Sequence, residues 1–199
     1  SGRFLALTGA SFNAADAIYV GIANTFIARD YYDAVLNALL KAELSDAQSV
    51  TAALRPFVER SQSVLPTGNV ESHLDDINTL CRADDTREVF QAFELLETDD
   101  KWLSKAKRSI MHGSPVSVLL IDEQLKRSKG MALADVFRSE VLLSTNDVRF
   151  PDFAEGVRAL LIDKDNQPSW RYPNLASVPQ EVVDAFFVAP WSANPLVDL

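Results

Sequence analysis

Apolar residues recur at helical spacing through most of the chain. Tyr32, Val35, Leu36, Leu39 and Leu40 stand at i, i+3, i+4, i+7 and i+8, the pattern of a helix that buries one face. Ser45-Asp46-Ala47-Gln48 follows as a capping box. The Ser45 hydroxyl and the Gln48 side chain would answer exposed backbone N–H groups, and Pro56 would bend or end the helix they open. Two serines, Pro66 and Gly68 between Ser61 and Asn69 read as a loop and as the best internal break. The helical period resumes through Val70, Leu74, Ile77, Leu80 and Cys81, and Asp84 to Glu88 opens a further helix over Val89, Phe90, Phe93 and Leu96.

Asp99 and Asp100 precede Trp102, Leu103, Ala106 and Ile110, with acids at the positive end of the helix dipole and Lys105, Lys107 and Arg108 towards the negative end. Gly113 ends that helix. Ser114-Pro115 then supplies a cap and a proline at the first helical position for Val116 to Ser128, closed by Gly130. A helix over about Leu133 to Leu143, a loop through Asn146 and Pro151, and a helix capped by Asp152 come next. From Gln167 to Leu199 the chain has five prolines and only Gln180 to Phe187 reads as a helix, which predicts a tail wrapped over the bundle surface. The fold class expected is mainly α.

Composition narrows the possibilities. A chain of 199 residues, 47% hydrophobic and 24% charged, can build a core of ordinary globular kind. Its longest apolar runs, such as Val116 to Ile121, fall far short of a membrane span, and its first residues lack the long apolar region of a signal peptide. The chain starts without Met, which reads as a processed or cut terminus. A formal charge of -9 argues against a broad nucleic-acid interface. Cys81 is the single cysteine, so no internal disulfide forms, and with only His73 and His112 beside it no metal site is expected. A reducing compartment fits: the cytoplasm, or the mitochondrial matrix in a eukaryote.

The chain offers little catalytic material of its own. It has no phosphate-binding glycine loop, dinucleotide fingerprint, metalloprotease helix or nucleophile elbow, and 7 glycines leave little to build an oxyanion hole. Asp75-Asp76, Asp99-Asp100 and Asp122-Glu123 are adjacent pairs whose side chains diverge on a helix, so they read as solvated faces. Cys81 and His73 read as structural, and His112 as a dipole partner at a helix end. Two basic groups remain, Lys101/Lys105/Lys107/Arg108 and Lys126/Arg127/Lys129. Dipole compensation accounts for them, the alternative being attraction of a phosphate-bearing substrate.

Gly2-Arg3-Phe4-Leu5-Ala6-Leu7-Thr8-Gly9, with Asn13-Ala14-Ala15-Asp16-Ala17 and Gly21-Ile22-Ala23, resembles an L-T-G helix end, a following A-x-x-A helix and the glycine-led start of a strand. Gly113-Ser114-Pro115-Val116-Ser117 resembles a second helix start of the same proteins. Asp152-Phe153-Ala154-Glu155-Gly156-Val157-Arg158-Ala159-Leu160-Leu161-Ile162-Asp163-Lys164-Asp165, ending at Pro168 and Trp170, resembles a third motif. Together these resemble the crotonase (enoyl-CoA hydratase/isomerase) superfamily, and the last is similar to 3-hydroxyisobutyryl-CoA hydrolases in particular. The similarity runs in order from residue 2 to about residue 170.

The resemblance implies the helical C-terminal part of a crotonase-type α/β fold, whose N-terminal β-β-α spiral is absent from this chain. Residues 1–60 would end the core and begin the cover helices, 61–69 form a loop, 70–170 a helical domain, and 171–199 the surface tail. In such hydrolases the oxyanion amides come from the spiral, and a Glu and an Asp come from a segment shortly before the L-T-G helix. No residue here therefore takes a catalytic role. The implied activity is hydrolysis of a short 3-hydroxyacyl-CoA such as 3-hydroxyisobutyryl-CoA, as in valine degradation, with enoyl-CoA hydration or isomerisation as the alternative.

The helical part would cover the active site and join subunit contacts, with no cofactor beyond the CoA of the acyl-CoA substrate. Its partners would be the missing half of the enzyme and, in a homo-oligomer, a further copy. Enoyl-CoA hydratases touch CoA with a Phe and a Lys of the last helix, but Leu160 and Asp163 fall at those positions here. Lys164, one residue along, and Arg158 are the candidate CoA contacts. A severed enzyme half would expose an apolar face, for which Leu5, Leu7, Phe12, Tyr19 and Phe26 are candidates. The rival from another class is a helical interaction module without activity.

Overall fold

The computed structural model describes residues 1–199, and every regular element in it is helical. The chain divides into two compact units, one of Ser1–Gly2 with Ser11–Thr79, the other of Arg3–Ala10 with Leu80–Leu199.

The smaller unit holds α2 (Ala14–Tyr19), α3 (Tyr32–Lys41), α4 (Ala47–Ser61), α5 (Asn69–Ser72) and α6 (Leu74–Leu80, which reaches the boundary). A buried carboxylate joins its first helix to its fourth. Asn13 and Asp16 form a capping box at the start of α2, and Asp16 Oδ1 also accepts the Val70 N–H at 2.7 Å. Gly68 lies so near that a Cβ there would stand 3.1 Å from Asp16 Oδ1. Ser61, also buried, accepts the Ala28 N–H at 2.8 Å and donates to the Phe57 carbonyl at 2.7 Å.

Several expectations for this unit change. The cap of α4 is Asp46 with Ser49, one residue beyond the Ser45/Gln48 reading, because the Asp46 carboxylate accepts the Ser49 N–H at 2.8 Å while Ser49 Oγ accepts from Asp46 N. Pro56 lies inside α4 and does not end it; the helix runs on to Ser61 and a 3-10 turn over Gln62–Val64. The apolar face of α3 is only half used, since Val35 and Leu39 are partly covered whereas Tyr32, Leu36 and Leu40 are exposed. Gly21-Ile22-Ala23 begins no strand. Gly21 takes a positive φ, and the N–H groups of Ile22 and Ala23 both turn back to the Ala17 carbonyl, leaving nothing to pair with a neighbouring strand.

The larger unit holds α1 (Gly2–Thr8), α7 (Thr86–Leu95), α8 (Lys101–His112), α9 (Pro115–Ser128), α10 (Leu133–Asp147), α11 (Pro151–Val157) and α12 (Gln180–Ala185). Local chemistry starts three of them: Asp85 caps α7, Asp100 caps α8, and Ser114 with Pro115 opens α9. Gly9 follows α1 at φ 57, the left-handed turn that a side chain resists. Phe4, Val89, Phe93, Leu103, Ala106, Ile110 and Val116 form the core, with the Phe4 ring 5.2 Å from Trp102 and 5.7 Å from Phe93. Leu7 belongs to this buried set, so it leaves the proposed exposed face; Leu5 and Phe26 are partly covered, and Phe12 and Tyr19 remain exposed.

The helix α10 continues past Leu143 to Asp147. After α12 the tail is tied back to it: Arg138 donates to the Leu196 and Leu199 carbonyls, and Asn146 Nδ2 donates to the Phe186 and Val188 carbonyls. Leu175, Val178, Val183 and Phe186 are buried, and the Arg127 guanidinium lies 3.8 Å over the Phe187 ring.

Asp122 on α9 is the most deeply buried charged side chain of this unit, 1% exposed. Arg3 binds both its oxygens, at 2.6 and 3.0 Å, and also donates to the Ala83 and Asp84 carbonyls. Thr86 Oγ1 and Lys126 complete the shell. Burial pushes the Asp122 carboxyl up, but the hydrogen bonds from Arg3, Lys126 and Thr86 outweigh it and hold the group below the usual range. A carboxylate lowered on folding contributes stability that is present above its unfolded value, near 3.9, and is lost as pH falls through the folded value. Arg3→Ala is expected to lower stability by about 3–5 kcal/mol, since it strands a buried charge. Urea unfolding of both proteins from neutral pH down to about pH 3 checks this, and the gap between them should narrow in acid.

Candidate functional site

Residues 151–171 close on themselves. Pro151 takes the first position of α11, so Asp152 is not its cap. Instead Asp152 is buried and accepts from Ser114 Oγ, the cap of α9, and from the Arg171 N–H at 2.7 Å. One carboxylate thus joins the starts of α9 and α11 to the strand of chain that leaves the site. Opposite it, Trp170 lays its ring against Gly156, where a Cβ would stand 3.4 Å from the ring edge, and Trp170 Nε1 donates to the His112 carbonyl at 2.9 Å.

Arg158 is the centre of the turn. Its Nε and Nη2 grip Glu155 at 2.9 and 2.8 Å, Nη1 reaches Asp163 at 2.6 Å and Asp165 at 2.7 Å, and Nη2 also donates to the Gln167 carbonyl. A guanidinium carries five N–H groups, and all are engaged. Within this clamp the backbone widens to a π-helical turn, Arg158–Ile162, closed by the Asp163 N–H on the Arg158 carbonyl at 2.8 Å. Lys164 and Asn166 then take positive φ, 55 and 53, and Lys164 stands exposed at the tip. Leu160, Leu161 and Ile162 are exposed beside it.

Of the two sequence candidates, Lys164 is thus presented to solvent and Arg158 is turned inward on protein acceptors, leaving no donor for a ligand. The Arg158 guanidinium and the Ser169 N–H hold the Glu155 carboxyl at about 2, and Arg158 also holds Asp165 low. The same carboxylates push the guanidinium higher still. A cavity of about 670 Å³ opens here, lined by Pro151, Asp152, Glu155, Arg158, Trp170 and Arg171 among others. The buried Asp152–Ser114 joint carried no sequence signal beyond the cap at Ser114, because its second partner lies 38 residues away.

Other candidates fall outside this site. Cys81 is half-buried, and burial pushes its thiol up, away from nucleophilic character. His112 Nδ1 lies 2.9 Å from the Arg108 carbonyl, at the end of α8. His73 Nδ1 lies 2.8 Å from the Asn69 carbonyl. No helix is long and apolar enough to cross a membrane.

This helical arrangement is that of the C-terminal part of a crotonase-type fold. The chain belongs to the Enoyl-CoA hydratase/isomerase family, whose profile matches residues 1–187. It is 30% identical over 194 residues to a mitochondrial 3-hydroxyisobutyryl-CoA hydrolase of Dictyostelium discoideum, covering 97% of this chain and 50% of that protein. The corresponding Danio rerio protein is 31% identical, with 94% and 48% covered. Among solved structures, a carnitinyl-CoA dehydratase from Mycobacterium thermoresistibile superposes with a TM-score of 0.81 at 27% identity, over 100% of this chain and 54% of that one. An enoyl-CoA hydratase from Rhodobacter sphaeroides 2.4.1 gives 0.76 at 25%, over 95% and 51%. The chain spans about half the length of the curated relatives it matches.

The clamp yields a direct expectation. In Arg158→Gln the Glu155 carboxyl loses its main stabiliser and its pKa should climb from about 2 towards the ordinary glutamate value near 4.3. Carbon-detected NMR titration of the side-chain carboxyls reads this; an unmoved Glu155 would show that Arg158 is not what holds it.

Proposed function

We propose that this chain is the helical part of a CoA thioester hydrolase acting on a short 3-hydroxyacyl-CoA, with 3-hydroxyisobutyryl-CoA as the leading substrate and valine degradation as its setting. The observation that carries the reading is the closed turn of residues 152–170. The run that resembles the hydrolases is the same run that assembles the Asp152 joint, the Arg158 clamp and the Trp170–Gly156 contact. The reaction would be general acid–base attack on the thioester with its oxygen held by two backbone amides, groups lying in the other half of the enzyme. The compartment would be the mitochondrial matrix or the cytoplasm, and no cofactor beyond the substrate's own CoA enters.

Within that reading Lys164 is the CoA contact and Arg158 a positioning residue. A lysine at the tip of a left-handed turn is aimed by the turn, and the turn is shaped by the guanidinium beneath it. Hydration of an enoyl-CoA is the second reading, favoured by the hydratase and dehydratase names of the superposed structures. Assaying the complete enzyme on 3-hydroxyisobutyryl-CoA and on crotonyl-CoA separates the two. Release of free CoA from the first is expected; water addition to the second without CoA release would replace the hydrolase reading. Lys164→Ala should raise KM for the thioester about three- to tenfold with kcat little changed, the pattern of lost uniform binding. An unchanged KM would remove Lys164 from the site.

A further inference from the structure

Tyr32, Leu36 and Leu40 of α3 are 70%, 48% and 75% exposed, although the helix beneath them is held in place. Val35, Ala38 and Leu39 are partly covered, α3 packs on α4, and the Tyr31 ring that precedes α3 lies 6.1 Å from Phe57 of α4. Steps of four residues set the three bare side chains within an arc of about 80° along about 12 Å of helix. The row is even about Leu36, with Tyr32 one turn before it and Leu40 one turn after.

The charges around the row continue this symmetry. Arg29 stands seven residues before Leu36 and Glu43 seven after, with Asp30 and Asp33 on the early side and Lys41 on the late side. All five are exposed, and none has an ion-pair partner within the chain. The helix dipole accounts for Asp33 in the first turn of α3 and Lys41 in the last. It does not account for Arg29, which precedes the positive end, or Glu43, which follows the negative end. A row so arranged is complementary to a second copy of itself laid antiparallel. A two-fold axis through Leu36 sets Leu36 on Leu36, Tyr32 on Leu40 and Arg29 opposite Glu43, each of the last two contacts made twice, and brings Lys41 beside Asp30. A parallel partner would set Arg29 on Arg29 and Glu43 on Glu43, so the charges choose the direction.

We propose that α3 is a self-association surface, pairing two copies of this chain antiparallel about Leu36, with Arg29 of each copy meeting Glu43 of the other. The apolar contact supplies the affinity, and the exposed ion pairs chiefly set the direction and register. Three side chains from each copy make a contact smaller than the about 1,600 Å² of a standard interface, so the pair is weak, with a Kd on the order of 100 µM. The inference concerns the smaller unit alone and does not depend on which thioester the enzyme takes.

Sedimentation equilibrium of the purified protein from about 5 µM to about 1 mM tests this, and a monomer–dimer equilibrium within that range is expected. Leu36→Lys should weaken the dimer at least about tenfold, whereas Leu133→Lys, at a side chain 70% exposed in the larger unit, should change it less than about twofold. Charge exchange reads the register. Arg29→Glu and Glu43→Arg should each weaken the dimer about two- to fivefold, and the two together in one chain should restore it, because each substituted residue again meets its opposite. All of these side chains are exposed, and the restoring double variant separates lost pairing from lost folding. A protein that stays monomeric at about 1 mM, a dimer that survives Leu36→Lys, or a double variant no tighter than the single ones would each overturn the proposal.

Discussion

The larger unit is organised by one buried charge. Asp122 lies in the middle of α9 at 1% exposure, and a carboxylate so placed must either lose its charge or be surrounded by donors. Arg3 of α1, Thr86 of α7 and Lys126 of α9 itself supply them, and Arg3 also gathers the carbonyls of the 83–84 loop. Phe4, the neighbour of Arg3, then enters the core against Phe93 and Trp102. The ion pair need not add much net stability, because removing both ions from water costs several kcal/mol each. What it does is fix register: α1 has seven residues, and the Arg3 geometry sets where it lies along α9.

The same device recurs in two other places. Asp16 ties the start of α2 to α5, and Asp152 ties the starts of α9 and α11 to the outgoing chain. Each is a carboxylate in the first turn of a short helix, where the dipole already favours negative charge, and each accepts a backbone N–H from a distant segment. Short helices gain little from propensity alone. A buried acid that answers donors on both sides lets them stand at defined angles without a large apolar interface. The Arg158 clamp differs, because it is only half-buried and its pairs are individually weak. Its effect is one of shape: three carboxylates on one guanidinium hold a π-helical turn and two positive-φ residues that open solvent would not favour.

Local chemistry was legible in the sequence and distant chemistry was not. The caps at Asp85, Asp100 and Ser114 are found where the residue types put them, because a cap concerns three or four neighbours. Ser45 and Asp46 are both competent caps one position apart, and the choice between them is set by which hydroxyl completes the box three residues on. Asp122 read as a surface acid in an Asp-Glu pair because its partner Arg3 lies 119 residues away. The strand expected after Gly21 failed in an instructive way, since a strand needs a neighbour and this chain provides none. The apolar stripe of α3 was visible, but period cannot say which of its residues find cover; Val35 and Leu39 do, and Tyr32, Leu36 and Leu40 do not.

Exposed apolar groups separate the two readings of the chain as an enzyme part and as a free interaction module. Scattered exposed leucines are normal, but Tyr32, Leu36 and Leu40 form one stripe along α3, and Leu160, Leu161 and Ile162 form one turn beside Lys164. Each surface stands on a defined backbone, so neither arises from fraying. A module with a single partner needs one such surface. Two, on units that are each compact, fit a chain that meets more than one neighbouring surface. Both surfaces belong to a chain that spans about half the length of its relatives, and Lys164 lies at the edge of one of them.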